Sequence, residues 1–148
     1  MTSKDFILNT FRAKGKADAK SLQTQASNMS DDELFENKSR IPVWREDRSY
    51  NSWPLGAPII DDAGRIWRLA KNYDGQEHPK SPINLRAYWK ICHPKNIAYA
   101  QAWVAPYGTN GAYMRNEIYK DSDGIIWKCK EDYCITDQKE HPSAWVKI

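Results

Sequence analysis

Residues 117–130 read Glu-Ile-Tyr-Lys-Asp-Ser-Asp-Gly-Ile-Ile-Trp-Lys-Cys-Lys, a stretch that predicts a tight β-hairpin. Short apolar or aromatic runs flank an Asp-rich turn ending at Gly124, and glycine supplies the positive φ that such turns require. Residues 58–69 repeat the pattern, with Gly64 in the place of Gly124 and Trp67 in the place of Trp127, at an offset of 60 positions. Two copies of one small module are therefore predicted.

The two copies divide the chain into a module at residues 43–92, a linker at 93–101 and a second module at 102–148. Each copy has a Trp near its start, a Gly-turned hairpin, a Glu-His-Pro loop and a terminal Trp, and predicts a three-stranded sheet. Side chains alternate between the faces of a strand, which directs Trp67 toward the core and Ile66 and Arg68 away from it. The predicted core tryptophans are Trp44, Trp67, Trp89, Trp103, Trp127 and Trp145.

Residues 1–42 form a segment of different composition, with no Trp and with Ala, Lys, Ser, Gln and Asp dominant. Its apolar residues at spacings of three and four predict short amphipathic helices at residues 4–13 and about 17–26. A capping box at Ser30 and Glu33 predicts the start of a third. Helices this short are marginal alone, so this arm is expected to dock, either on the chain's own modules or on another protein or a symmetry mate. The docking candidates are Phe6, Ile7, Phe11, Leu34 and Phe35. The expected fold is thus mainly β, two tandem small three-stranded β-modules with an α-helical N-terminal arm.

The composition is that of a globular protein, with 41% hydrophobic and 28% charged residues among 148, and seven Trp and eight Tyr. A net charge of +3 comes from interspersed basic and acidic residues, so we expect no nucleic-acid partner. No stretch has the length of a membrane span or the pattern of a secretory leader, so no membrane association is expected. Three cysteines are too few for a disulfide framework and indicate a reducing compartment of synthesis, although a bridge between Cys129 and Cys134 stays open.

The modules resemble the small chitin- and cellulose-binding modules of the carbohydrate-binding 5/12 type, in which an Ala-Trp start, a Tyr, a Gly-turned hairpin, a Pro and a closing Trp follow in order. Two departures concern the position of Asn116, where the family has Gly, and the exposed aromatic pair after the hairpin, for which only Tyr73 and Tyr133 are available. Similar modules, often after a short helical segment, also resemble parts of bacteriophage structural and tail-associated proteins. The matching residues are Ala102, Trp103, Tyr113, Ile118, Gly124, Trp127, Pro142 and Trp145 in the second copy, and Trp44, Tyr50, Gly56, Gly64, Trp67, Pro79 and Trp89 in the first.

Catalytic signatures such as a nucleophile elbow, a phosphate-binding loop or a His-Glu-x-x-His helix do not occur in the sequence. The acidic pairs lie in the hairpin turns, where Asp is favoured for its hydrogen bonds to the backbone. Cys129, Cys134 and His141 have a spacing that matches structural zinc poorly. We therefore expect no enzyme activity, no metal and no cofactor.

Exposed aromatic side chains are the best candidates for contact with a ligand, because an aromatic face offers apolar area at little entropic cost. The alternative is that they complete small cores. The leading hypothesis is a non-enzymatic interaction protein, a bacteriophage or prophage virion component made in the bacterial host cytoplasm, which binds other virion proteins or itself as a homo-oligomer. The alternative function is recognition of a cell-surface glycan. The candidates are Trp53, Tyr73, Tyr107, Tyr113 and Tyr133.

Overall fold

Two antiparallel three-stranded sheets dominate a computed structural model, which describes residues 22, 23 and 25–148. The described chain is mainly β, as predicted, and its helical content is small. Sheet 1 has the order β1-β2-β3, and sheet 2 has the order β4-β5-β6. The strands are β1 Pro58–Ile60, β2 Ile66–Leu69, β3 Trp89–Ile91, β4 Ile118–Lys120, β5 Ile126–Cys129 and β6 Trp145–Lys147. The α-helix α1 spans Asp31–Glu36, and single 3-10 turns span Ala26–Asn28, Lys38–Arg40, Pro82–Asn84, Ile97–Tyr99 and Pro142–Ala144.

Each hairpin is closed by an aspartate that binds both the turn and the core tryptophan. Asp61 accepts hydrogen bonds from the amides of Ala63 and Arg65, and its second oxygen accepts one from Trp67 Nε1 at 2.8 Å. Asp121 repeats the arrangement, including a 2.8 Å bond from Trp127 Nε1. The turn glycines have φ values of 82° and 80°, so the predicted Gly turns are confirmed. The two aspartates therefore stabilise the hairpins.

Asn116 occupies the place of a glycine without disturbing the fold. The Gly56 amide donates to Leu69 O at 2.8 Å, and the Asn116 amide donates to Cys129 O at 2.9 Å, so the two positions are equivalent. Both have positive φ, 89° at Gly56 and 75° at Asn116. Asparagine tolerates the left-handed conformation better than most other residues with a side chain, which explains how it takes the place that glycine has in the first module.

Aromatic residues fill the core of each module. In the first, Tyr50 packs edge-on against Trp89 with ring centroids 5.0 Å apart, and both side chains are fully buried. In the second, Tyr113 packs in the same way against Trp145 at 5.3 Å. Of the predicted core tryptophans, Trp67, Trp89 and Trp145 are buried, whereas Trp44, Trp103 and Trp127 are half-buried at the edges of the two cores.

The described part of the arm packs on the outward face of sheet 1, the face opposite the module core. Helix α1 begins at the predicted capping box, with the Ser30 hydroxyl accepting from the Glu33 amide at 3.2 Å. Leu34 and Phe35 are buried with Ile66 in a cluster, the arm cluster, so these two docking candidates bind the chain's own module. Its buried members are Leu22, Ala26, Leu34, Phe35, Ile41, Ile66 and Cys92. The helix expected at 4–13 and the candidates Phe6, Ile7 and Phe11 lie outside the described residues.

The two modules are joined by a buried junction rather than by an exposed spacer. His93, at the start of the segment predicted as a linker, is 3% exposed and stacks on Tyr113 with ring centroids 3.6 Å apart. Val104 of the second module is buried in the core of the first. The Asn110 side chain donates to Trp89 O, and His93 Nε2 lies 2.8 Å from Gly111 O. Module 2 therefore completes one end of module 1.

Candidate functional site

In the described chain, part of the outward face of sheet 2 is exposed, with an apolar centre and a basic margin, while Ile118 on the same face is buried. Strand register places Lys128 opposite Val146 and Lys120 opposite Ile126, while the Ile148 amide donates to Ile126 O at 3.0 Å. Residues opposite each other on neighbouring strands share a face. Val146 is 43% exposed and Ile148 is 54% exposed, and Ile126 is half-buried. The term open face is used below for the five residues Lys120, Ile126, Lys128, Val146 and Ile148.

The matching face of sheet 1 is covered by the arm, so the two sheets can be compared at equivalent positions. The Cys92 amide donates to Ile66 O at 2.9 Å, so the pair Ile66 and Cys92 corresponds to the pair Ile126 and Ile148. Ile66 is fully buried and Cys92 is 2% exposed, because the arm lies over them. The same structural position is thus core in one module and surface in the other.

Arg68 binds the arm at the position that Lys128 occupies in sheet 2. Its guanidinium donates to the Asp31 carboxylate at 2.9 Å and to the carbonyl oxygens of Ala26 and Met29 at 2.6 and 2.7 Å. These two carbonyls belong to the turn before α1, which the planar guanidinium can satisfy together with the acid. Lys128 lies opposite Ile118 in the equivalent register, and within the described chain it forms no ion pair.

A second position that is buried in module 1 is occupied by a charged residue in module 2. The exposed positions of module 2 are therefore not all apolar. Ile91 of sheet 1 is 4% exposed and lies in the module 1 core beside Gly111 of the junction. Its counterpart by register is Lys147, which is exposed. Where module 2 lacks the neighbour that module 1 has, a charged residue solvates this edge. On the open face Ile126 stays apolar in the place of Ile66, whereas Lys120 replaces Ile60 and Val146 replaces Lys90.

The aromatic candidates fall into two groups. Tyr107 and Tyr133 are 61% and 63% exposed, and Trp53 is half-buried against the module 1 core. The expectation that Tyr73 and Tyr113 are exposed is wrong, since they are 4% and 1% exposed and form part of the two cores. Their hydroxyl-bearing rings bury well against tryptophan, which is the alternative that the sequence left open.

The sequence match of Tyr73 with Tyr133 is also wrong by one position. The Tyr50 amide donates to Tyr73 O, and the Tyr113 amide donates to Cys134 O, so Cys134 is the structural counterpart of Tyr73. Tyr133 is an extra residue with a φ of 60°, which turns its ring into solvent. A residue other than Gly or Asn in this conformation is uncommon and depends on its surroundings.

Tyr107 borders a shallow cleft of about 290 Å³ at the junction of the modules. Its wall is formed by the loop before β3, with Leu85, Arg86 and Tyr88. Arg86 also donates to Ala105 O at 2.5 Å, which fixes the loop to module 2. Two tyrosine rings and a positioned guanidinium are a combination that suits the apolar and polar sides of a sugar.

The thiols and the histidine considered for zinc do not converge. Cys129 Sγ lies 2.9 Å from Glu131 O and Cys134 Sγ lies 3.8 Å from the same oxygen, while His141 Nε2 lies 3.6 Å from the Glu131 carboxylate. Burial and the neighbouring thiol of Cys129 raise the pKa of Cys134 to about 12, which keeps it protonated. Among residues 22, 23 and 25–148, no three His, Cys, Asp or Glu side chains are placed to hold a metal ion.

Two groups at the junction have shifted acidities. Burial lowers the pKa of His93 to about 4, against a smaller opposing effect of its hydrogen bond to Gly111 O. Burial raises the pKa of Glu117 to about 7, although the Met114 amide, which donates to its carboxylate at 2.7 Å, opposes the shift. Both residues line a cleft between the arm and module 2.

No protein-family model matches the chain, and a search of curated proteins finds no match either. In the part of the chain that the structure describes, no helix combines the length and the apolar character needed to cross a bilayer. Strand alternation placed Ile66 and Arg68 away from the core, and at the offset of 60 positions it does the same for Ile126 and Lys128, but it missed the open face as a site. The available signal was that the sequence has two modules and a single N-terminal arm.

Proposed function

We propose that the protein is a non-enzymatic interaction protein that uses the open face of sheet 2 to bind another protein. The observation that carries this proposal is the difference between the two sheets. Ile66 and Cys92 are buried under the arm, whereas at the equivalent positions of sheet 2 Ile126 is half-buried and Ile148 is 54% exposed. Apolar side chains that lie together on an exposed surface are typical of protein contact sites. The proposal includes the helical character of the arm before residue 22, which would add a second docking element.

The virion setting belongs to the proposal through the sequence resemblance alone. Modules of this kind after a short helical segment resemble bacteriophage structural and tail-associated proteins. In that setting the protein is made in the host cytoplasm and binds other virion proteins or further copies of itself. The non-enzymatic part is supported by the use of Asp61 and Asp121, whose carboxylates are engaged by the turns and the core tryptophans.

Site-specific photo-crosslinking in the producing cell tests the proposal. A photoreactive phenylalanine analogue at position 146 lies on the open face, and the same analogue at position 135 is the matched control, since Ile135 is 53% exposed outside that face. We expect a discrete adduct from position 146 that position 135 does not give, and mass spectrometry of the adduct identifies the partner or a second copy of the chain. Equal adducts from both positions, or none from position 146, would refute the proposal.

Glycan recognition is the second candidate, and the cleft beside Tyr107 favours it. The ring of Tyr107 is 61% exposed at a cleft of about 290 Å³, at the small end of ligand pockets. Binding to insoluble polysaccharides, measured by co-sedimentation, should then be lost in Tyr107→Ala and kept in Val146→Asp. Retention of binding in Tyr107→Ala removes the cleft from consideration.

A further inference from the structure

We infer that the occupant of the open face is a short acidic amphipathic helix of a partner protein, an inference that rests on the proposed function and specifies its partner. The first step is the way in which sheet 1 binds the arm. Helix α1 has the sequence Asp-Asp-Glu-Leu-Phe-Glu, in which four acidic residues accompany one apolar pair. Leu34 and Phe35 enter the arm cluster, and Asp31 binds Arg68 at 2.9 Å. Sheet 1 is thus an observed receptor for a helix of this chemistry.

The open face keeps the character of the receptor at three of its five positions, whereas at the other two Val146 stands in the place of Lys90 and Lys120 in the place of Ile60. Ile126 and Ile148 take the places of Ile66 and Cys92, and Lys128 takes the place of Arg68 with the same sign of charge. Lys120, which is exposed, adds a second positive charge opposite Ile126. An apolar centre with a basic margin complements a helix that has an apolar stripe and an acidic side.

The same charges argue against two copies of the chain meeting through this face. A two-fold interface brings identical patches together, so Lys120 and Lys128 of one copy would approach the same lysines of the other. The arm of a second copy is also a poor occupant. In that copy the arm is already bound by Arg68, which makes three hydrogen bonds to it, so it is not available to a second chain, whereas a free peptide of the same sequence is. The helix therefore comes from a different protein.

The size of the face sets the strength of binding. The five side chains of the open face offer less area than a standard interface, which buries about 1,600 Å² of surface. We expect weak binding, in the millimolar to micromolar range for an isolated helix that must also fold on contact. Such a contact becomes effective when partners are arrayed, as avidity multiplies weak affinities.

The test uses the full-length protein and a synthetic peptide with the sequence of residues 22–37, acetylated and amidated at its ends. This peptide serves as the probe because it has the chemistry that sheet 1 binds. In titrations followed by amide chemical shifts, we expect the largest shifts at Ile126, Lys128 and Val146, weakening as salt is added. Lys128→Glu should reduce the affinity about tenfold, while Lys80→Glu, an exposed lysine of module 1, should leave it unchanged.

A second peptide in which the four acidic residues of α1 are replaced by lysine decides whether charge is recognised. Equal binding of both peptides, or shifts confined to Ile66 and the arm, would overturn the inference. Absence of shifts on the open face would overturn it as well. The photo-crosslink at position 146 distinguishes a failure of the partner chemistry from a failure of the proposed function. An adduct there without acidic-peptide binding refutes the partner chemistry and leaves the proposed function standing, whereas loss of both refutes both.

Discussion

Replacement of Arg68 by alanine should release the arm from sheet 1. The guanidinium side chain is 14% exposed and makes one ion pair and two bonds to carbonyl oxygens of the turn before α1. Its removal leaves Asp31, 20% exposed, and these carbonyls without their donor. Breaking a buried pair by deleting one partner costs about 3 to 5 kcal/mol, and the partial exposure of this pair places the expected cost at about 3 kcal/mol.

The assay must follow the arm separately, because every tryptophan lies at or after position 44 and fluorescence reports only the modules. Hydrogen exchange at the Leu34 amide, which donates to Ser30 O inside α1, reports arm opening directly. A loss of about 3 kcal/mol corresponds to a decrease in protection of roughly 100-fold. Lys128→Ala is the matched control, since it removes the equivalent residue of sheet 2, and it should change stability by less than about 0.5 kcal/mol.

An unchanged exchange rate at Leu34 in Arg68→Ala would refute the argument that this guanidinium fixes the arm. An equal effect of Lys128→Ala on that amide would refute the claim that the two sheets differ in cover. Arg68→Lys should fall between wild type and alanine, because lysine keeps the charge and loses the fork that reaches three acceptors.

Three further outcomes are expected. As pH falls from 6.5 to 4, the free energy of unfolding should decrease by up to about 3 kcal/mol through His93, because His93 is protonated in the unfolded chain and stays neutral in the folded one. Urea titrations of wild type and His93→Gln at several pH values isolate this contribution as the difference between the two proteins. Asn116→Ala should lower the free energy of unfolding by about 1 kcal/mol and Asn116→Gly should not, since φ is 75° there; equal losses would contradict the conformational argument. Asp61→Ala should lower the free energy of unfolding by about 3 kcal/mol, and by more than Asp121→Ala does in the same denaturation assay, because Asp61 is 5% exposed and also pairs with an arginine. The reverse order would show that the hydrogen bonds in the turn alone matter.

Local signals made much of the fold predictable. The Gly turns at 64 and 124, the alternation in β2 and β5 and the capping box at Ser30 are each decided by a few neighbouring residues, and the structure has all of them. Alternation also placed Ile66 and Arg68 on the outward face. The sequence could not say that the arm would cover this face, because that contact joins residues about 40 positions apart.

The aromatic loops were harder to predict because their lengths differ between the copies. A constant offset matched Tyr73 with Tyr133, although one inserted residue moves the equivalence to Cys134. The junction was missed for a related reason. Val104 and His93 look unremarkable in sequence, yet they are buried by contacts that arise only when module 2 packs against module 1. The burial of such residues cannot be predicted from their type, since valine and histidine also occur on protein surfaces.

The internal repeat supplies a comparison within one molecule that a single domain cannot offer. Module 1 has a cover on its outward face and a neighbour at its end, and both places are apolar, at Ile66 and Ile91. Module 2 has neither in the described chain, and there the two places diverge, with Lys147 at the end and Ile126 on the face. If lack of a neighbour alone governed these positions, both would be polar. The face keeps Ile126 and Ile148 at its centre, although Lys120 replaces Ile60 at its margin, and this apolar centre is the reason to expect a partner at the face and solvent at the end.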